Sequence, residues 1–147
     1  MATIKSRKKE GIDPKRYAQI LRGIRLDEIY LESCSVTHKR ENLTKQKGLE
    51  VSIRDSASYK QHNGRVKVTH KYYLTAKKPE MEDFALKIST AFCLVYFTDS
   101  PFRKEFFEIF KNTNLAVSSW PYFRELVQNM TQRMNIPPLT LPFLRRG

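Results

Sequence analysis

The sequence predicts an α+β fold, a four-stranded antiparallel sheet followed by two C-terminal helices. Three observations carry this. Apolar and polar residues alternate through two long runs on either side of Asn63-Gly64, the pattern of a hairpin with one buried face. Two further strand-like runs, from Ile24 and from Phe84, flank that hairpin. After Ser100 the apolar period lengthens to that of amphipathic helices.

Residues 1–12 are polar, basic and aperiodic, and read as a flexible arm ahead of a single domain over 13–147. Asp13-Pro14 is a helix start, an N-cap acid followed by proline at the first helical position. Tyr17, Ile20, Leu21 and Ile24 follow at helical spacing and Gly23 offers a stop, so a short helix is predicted over 14–22. Ile24, Leu26, Ile29 and Leu31 then alternate with a slip at Asp27-Glu28, which predicts a bulged first strand. After a polar connection over 37–47, Leu49, Val51, Ile53, Ala57 and Tyr59 share one face of a second strand. Val66, Val68, Tyr72, Leu74 and Ala76 share one face of a third, and Pro79 breaks it.

The run Phe84–Phe97 begins by alternating and ends apolar on both faces. Such an end needs cover on both sides, from the chain's own helices and from a second subunit. Ser100-Pro101 opens a helix with Phe102, Phe106, Ile109 and Phe110 on one stripe, ending near Asn112. A second helix, with Trp120, Phe123, Val127, Met130 and Met134 on one face, runs to about Met134, and Pro121 predicts a kink or restart near Ser119. The segment 136–147 is apolar but punctuated by Pro137, Pro138 and Pro142, so an extended backbone is expected.

The chain has 147 residues and a net charge of +12. The charge concentrates in the arm, in 37–47 and in 60–78, where Lys60, Arg65, Lys67, Lys71, Lys77 and Lys78 meet no acid. No apolar run approaches the roughly 20 residues that span a bilayer. Cys34 and Cys93 stand far apart, as in a reducing interior without a disulfide framework, so the expectation is a soluble cytoplasmic protein.

Chemistry-bearing motifs are absent from the sequence. His38, His62 and His70 have no metal-ligand spacing to each other or to the cysteines, and there is no phosphate loop or nucleophile elbow. His70 occupies a core-facing slot between Val68 and Tyr72, where a satisfied, half-buried histidine is the expectation. No enzyme activity, cofactor or metal is expected. Nine Phe, seven Tyr and one Trp instead exceed what a small sheet and two helices are expected to hide, which points to apolar contact with other chains.

The stretch Trp120-Pro121-Tyr122-Phe123-Arg124-Glu125-Leu126, continuing through Met130 to Pro137-Pro138-Leu139-Thr140-Leu141-Pro142-Phe143, resembles the C-terminal signature of the SecB export chaperone family. With the preceding strands, the similarity spans roughly residues 24 to 144. The resemblance implies a dimer of dimers that holds unfolded precursor proteins in long apolar grooves without ATP, for export by way of SecA or for one dedicated client. It implies a groove lined by Leu49, Val51, Trp120, Tyr122, Phe123 and Val127 with Leu139, Leu141 and Phe143 of the tail. It places Phe102, Phe106 and Phe110 between subunits. The basic surface departs from the acidic one of classical members, which bears on SecA docking. Divergent SecB-like proteins serve toxin–antitoxin pairs, and that dedicated role is the main alternative. Nucleic-acid binding, through Lys67, Lys71 and Lys77 with Tyr73 among them, is the weakest reading.

Overall fold

Asp13 starts the first helix as predicted: its side chain accepts from the Lys15 amide, and α1 runs Pro14–Arg22. The computed structural model describes residues 12–43, 48–136 and 139–143. The basic arm therefore lies outside the described residues, apart from Ile12. Gly23 ends α1 where the chain approaches the sheet's far end. A Cβ there would meet Asp99 Oδ2 at 2.9 Å, and the Asp99 amide donates to the Gly23 carbonyl.

Four strands follow: β1 Ile24–His38, β2 Glu50–His62, β3 Arg65–Lys77 and β4 Leu86–Thr98. All pairings are antiparallel and the order across the sheet is β1-β4-β3-β2, so β1 and β2 are the two edges. The slip at Asp27-Glu28 is a register shift between Leu26 and Glu28, and a second one lies between Leu31 and Ser33. Asn63 (φ 51) and Gly64 (φ 78) turn the β2–β3 hairpin with both residues left-handed, the geometry that matches strand twist. A 3-10 turn, Arg40–Asn42, follows β1, and Lys39 and Asn42 both bond Asp83. The Lys39 hydrogen bond, helped by Asn42, holds the pKa of Asp83 below the usual carboxylate range.

Two helices close the chain, α2 Lys104–Phe110 and α3 Asn114–Arg133. The predicted restart near Ser119 does not occur, because α3 runs unbroken through Pro121. Pro121 and Val117 are both on the exposed side, where water can serve the carbonyl that proline leaves unpaired.

The core lies between one face of the sheet and these helices. Val66, Val68, Tyr72 and Leu74 of β3 and Leu86, Ile88, Phe92 and Leu94 of β4 are buried there. Each such side chain contributes roughly 1.5–3 kcal/mol. Phe102, Phe106 and Phe110 lie in the same core: Phe106 stacks on Tyr17 of α1 at 5.0 Å, and Phe102 and Phe110 pack on Tyr96. At 1–3% exposure they leave almost no area for a second subunit, so the intersubunit position expected for them is corrected. Their helical stripe was legible; its occupant is the chain's own sheet and first helix.

Two further expectations are revised. Ala91, Cys93 and Val95 are buried on the sheet's other face, and none of the described helices lies over them. Side chains of neighbouring strands give the cover, with Cys93 donating to Glu32 and facing Tyr30 across the β1 pairing. Burial, followed by the Glu32 hydrogen bond, pushes the Cys93 thiol up. The aromatic excess is also largely internal, since six of the Phe residues, Trp120, Tyr72 and Tyr96 are all buried in the isolated chain. Among the described residues no helix is long and apolar enough to cross a membrane, and no three His, Cys, Asp or Glu side chains gather as a metal site.

Candidate functional site

Helix α3 is fastened to the sheet by a polar pin. His70 Nε2 lies 2.8 Å from Asp55 Oδ2, His70 Nδ1 lies 2.7 Å from Ser119 Oγ, and Ser119 Oγ lies 2.7 Å from the Tyr72 hydroxyl. The carboxylate can only accept, so Nε2 carries the proton and in the neutral ring Nδ1 accepts from Ser119. Ser119 in turn accepts from Tyr72, and both nitrogens of a fully buried imidazole are satisfied. The residue types are those of a hydrolytic triad, but Ser119 is 0% exposed and no substrate can reach its hydroxyl in this conformation. The group joins β2, β3 and α3. Around it Phe123 stacks on Tyr72 at 4.6 Å and Trp120 packs on both.

The tail then returns along α3 in the opposite direction. The Leu139 amide donates to Thr131 Oγ1, Arg124 Nε donates to the Leu141 carbonyl, and Trp120 Nε1 donates to the Pro142 carbonyl. Arg124 also lies over the Phe143 ring at 4.2 Å. Three side chains of one helix thus satisfy a backbone that proline keeps out of any regular ladder. Leu141 is buried as a result, while Phe143 is 78% exposed.

An apolar margin runs beside α3 on the β1 side. Leu26 and Leu31 are 46% and 43% exposed, and their register partners Tyr96 and Phe92 are buried. The Phe92 ring touches Tyr122 of α3, itself 48% exposed. Leu31 and Tyr122 therefore flank Phe92 as the two rims of a trough, and Leu26 over Tyr96 extends it. Burial drives Tyr96 far above the ordinary phenol range, only partly offset by Ser118, so this floor stays neutral.

The residues expected to line one groove fall into three places. Trp120, Phe123 and Val127 are buried core, with Leu141 beside them. Tyr122 is on the β1 margin, whereas Leu49 just precedes β2 and Val51 lies at its start, on the opposite edge. Leu139 and Phe143 belong to the tail on α3. Leu26 and Leu31 had been visible only as strand residues, and their exposure depends on β1 being an edge. The Asp55–His70 contact did leave a signal, since each is a polar residue in a core-facing slot of an otherwise apolar strand face.

No family model and no curated protein matches this chain. A solved structure does: the Mycobacterium tuberculosis SecB-like chaperone in complex with a ChAD peptide from the HigA1 antitoxin, at 19% identity and TM-score 0.77, over 90% of this chain and 99% of that one. This is the SecB-like fold. A second solved structure, a protein of unknown function from Streptococcus agalactiae, aligns at 14% identity and TM-score 0.45 over 82% of this chain and 97% of that one. The SecB-like fold comprises the sheet and its C-terminal helices, as the resemblance of residues 120–143 implied.

Proposed function

We propose that this protein is an ATP-independent, SecB-like chaperone that holds an extended, largely unfolded segment of a dedicated client against the β1 margin. The observation that carries the reading is the trough flanked by Leu31 and Tyr122 over Phe92, on a fold shared with a chaperone bound to an antitoxin peptide. Apolar side chains of the client would seat in the trough, and the unpaired outer edge of β1 would supply sequence-tolerant backbone hydrogen bonds. No catalytic step is part of this reading; it is of a binding protein in the cytoplasm. Homo-oligomerisation, as a dimer of dimers, belongs to it because free strand edges are what natural sheets pair or shield. A toxin–antitoxin client is favoured over general export by the peptide bound to the structural neighbour. Precursor proteins delivered to SecA are the alternative.

The test is light scattering from a chemically unfolded substrate, with the purified protein added at increasing ratio. Suppression of aggregation, lost in a Leu31→Ser/Tyr122→Ser variant that still folds, supports the proposal. Scattering that is unaffected at any ratio, with no substrate co-eluting on size exclusion, refutes it.

A further inference from the structure

Among the described residues no helix lies over the sheet face turned away from the core, and its composition is unlike that of the trough. It presents Arg54, Lys60, Arg65, Lys67, Lys71 and Lys87, all exposed, from β2, β3 and β4. The acids that meet them come from the β1 margin, and they meet them loosely: Arg65–Asp27 at 3.9 Å and Lys67–Glu32 at 4.0 Å. Lys60 and Lys71 have no acid within ion-pairing distance among the described residues.

Two details show that this is more than a solvated face. Lys60 and Lys67 are direct register partners, a like-charge cross-strand pair that costs stability. They also border a shallow concavity of about 460 Å³, where with Arg65 they set three cations against one acid, Glu28 of β1, beside Tyr30, Gln61, His62 and Val95. A folding requirement would not place like charges opposite each other around a hollow. An anionic ligand seated there would relieve their repulsion.

The aromatic rings decide which anion. Single-stranded nucleic acid needs ring faces open for base stacking. On this face the Tyr73 ring carries the Arg54 guanidinium at 5.2 Å and the Phe97 ring carries Arg65 at 5.1 Å, which leaves Tyr30, 39% exposed at the concavity, as a single open ring rather than the succession of platforms that successive bases stack on. Carboxylates need only the cations, and exposed Ser56 and Ser58 of β2 add hydroxyl donors beside them.

We propose that this outer face, centred on Lys60, Arg65 and Lys67, is a docking surface for an acidic, carboxylate-rich polypeptide segment. It is separate from the trough on the helix side, so the two sites stand or fall independently. The full-length protein is titrated against a labelled Glu-rich peptide, its Gln-for-Glu counterpart and a thymidine oligonucleotide of equal charge, with fluorescence anisotropy as the readout. The Glu-rich peptide binds, the Gln version does not, and binding weakens as salt rises. Lys60→Gln with Lys67→Gln weakens the peptide by about tenfold or more, while Lys15→Gln with Lys104→Gln, an equal charge change elsewhere, leaves it within about twofold. Thermal melting shows the first variant at least as stable as the parent, since a like-charge pair is gone. Equal loss in both variants, no loss in the first, or tighter binding of the oligonucleotide than of the Glu-rich peptide overturns the proposal.

Discussion

One strand, β3, shows the molecule's two surfaces side by side. Val66, Val68, His70, Tyr72, Leu74 and Ala76 are all sealed against the helices, while Arg65, Lys67 and Lys71 between them point away into solvent. The sealed face is completed by the chain's own α2, α3 and tail, so its residue types are set by packing. Among the described residues nothing packs over the open face, and the like-charge pair retained there serves no packing purpose. The comparison teaches that an aromatic count does not mark a binding surface. Aromatics here mostly fill the core, and what the described residues leave exposed is an apolar edge strip and a cationic plane.

The comparison can be broken most severely on the sealed side. Trp120→Ala should cost about 3–5 kcal/mol in chemical denaturation, because it empties the centre of the core and releases the Pro142 carbonyl. His70→Leu should cost about 2–3 kcal/mol, since Asp55 and Ser119 lose their shared partner; a double-mutant cycle with Ser119→Ala should show non-additivity. On the exposed strip, Leu31→Ser with Tyr122→Ser should change stability by less than about 1 kcal/mol while sharply reducing suppression of client aggregation. Equal losses of stability and activity would mean that the strip is core after all.

The open face should respond weakly and with the opposite sign. Lys60→Glu, opposite Lys67, is expected to raise stability by a few tenths of a kcal/mol, about 0.2–0.5, measured by thermal melting. The smallest effect concerns Asp83. Its pKa is depressed in the folded state by the Lys39 and Asn42 hydrogen bonds, which favour the carboxylate. Its contribution is therefore fully present above the ordinary carboxylate range and lost as the pH falls through the depressed value. The protection factors of the Asn42 and Phe84 amides, exchange relative to the intrinsic rate at each pH, should fall in acid, and Asp83→Asn should abolish that pH dependence without touching the trough.

Much of this was legible beforehand. The Asp13 cap, the slip at Asp27-Glu28, the Asn63-Gly64 turn and the alternation of β3 are local signals, and each reappears at its residue. Pro121 left a kink or a restart open, and the restart is absent because a proline's cost depends on whether the carbonyl it orphans is wet, which no local pattern tells. Phe102, Phe106 and Phe110 misled because a stripe shows that a helix face is apolar and not which surface covers it. Trp120, Phe123 and Val127 form the right cluster, but it points inward.

By itself the sequence determined where the first helix begins and the hairpin turns, which faces are apolar and where positive charge accumulates, because these depend on neighbours within a few positions. Only the tertiary structure decided that β1 is an edge beside β4, that Asp55, His70, Tyr72 and Ser119 meet, and that the tail folds back on α3. Those contacts join residues far apart in the chain. Burial energy shared across the whole core selects them, and no short window of sequence contains it.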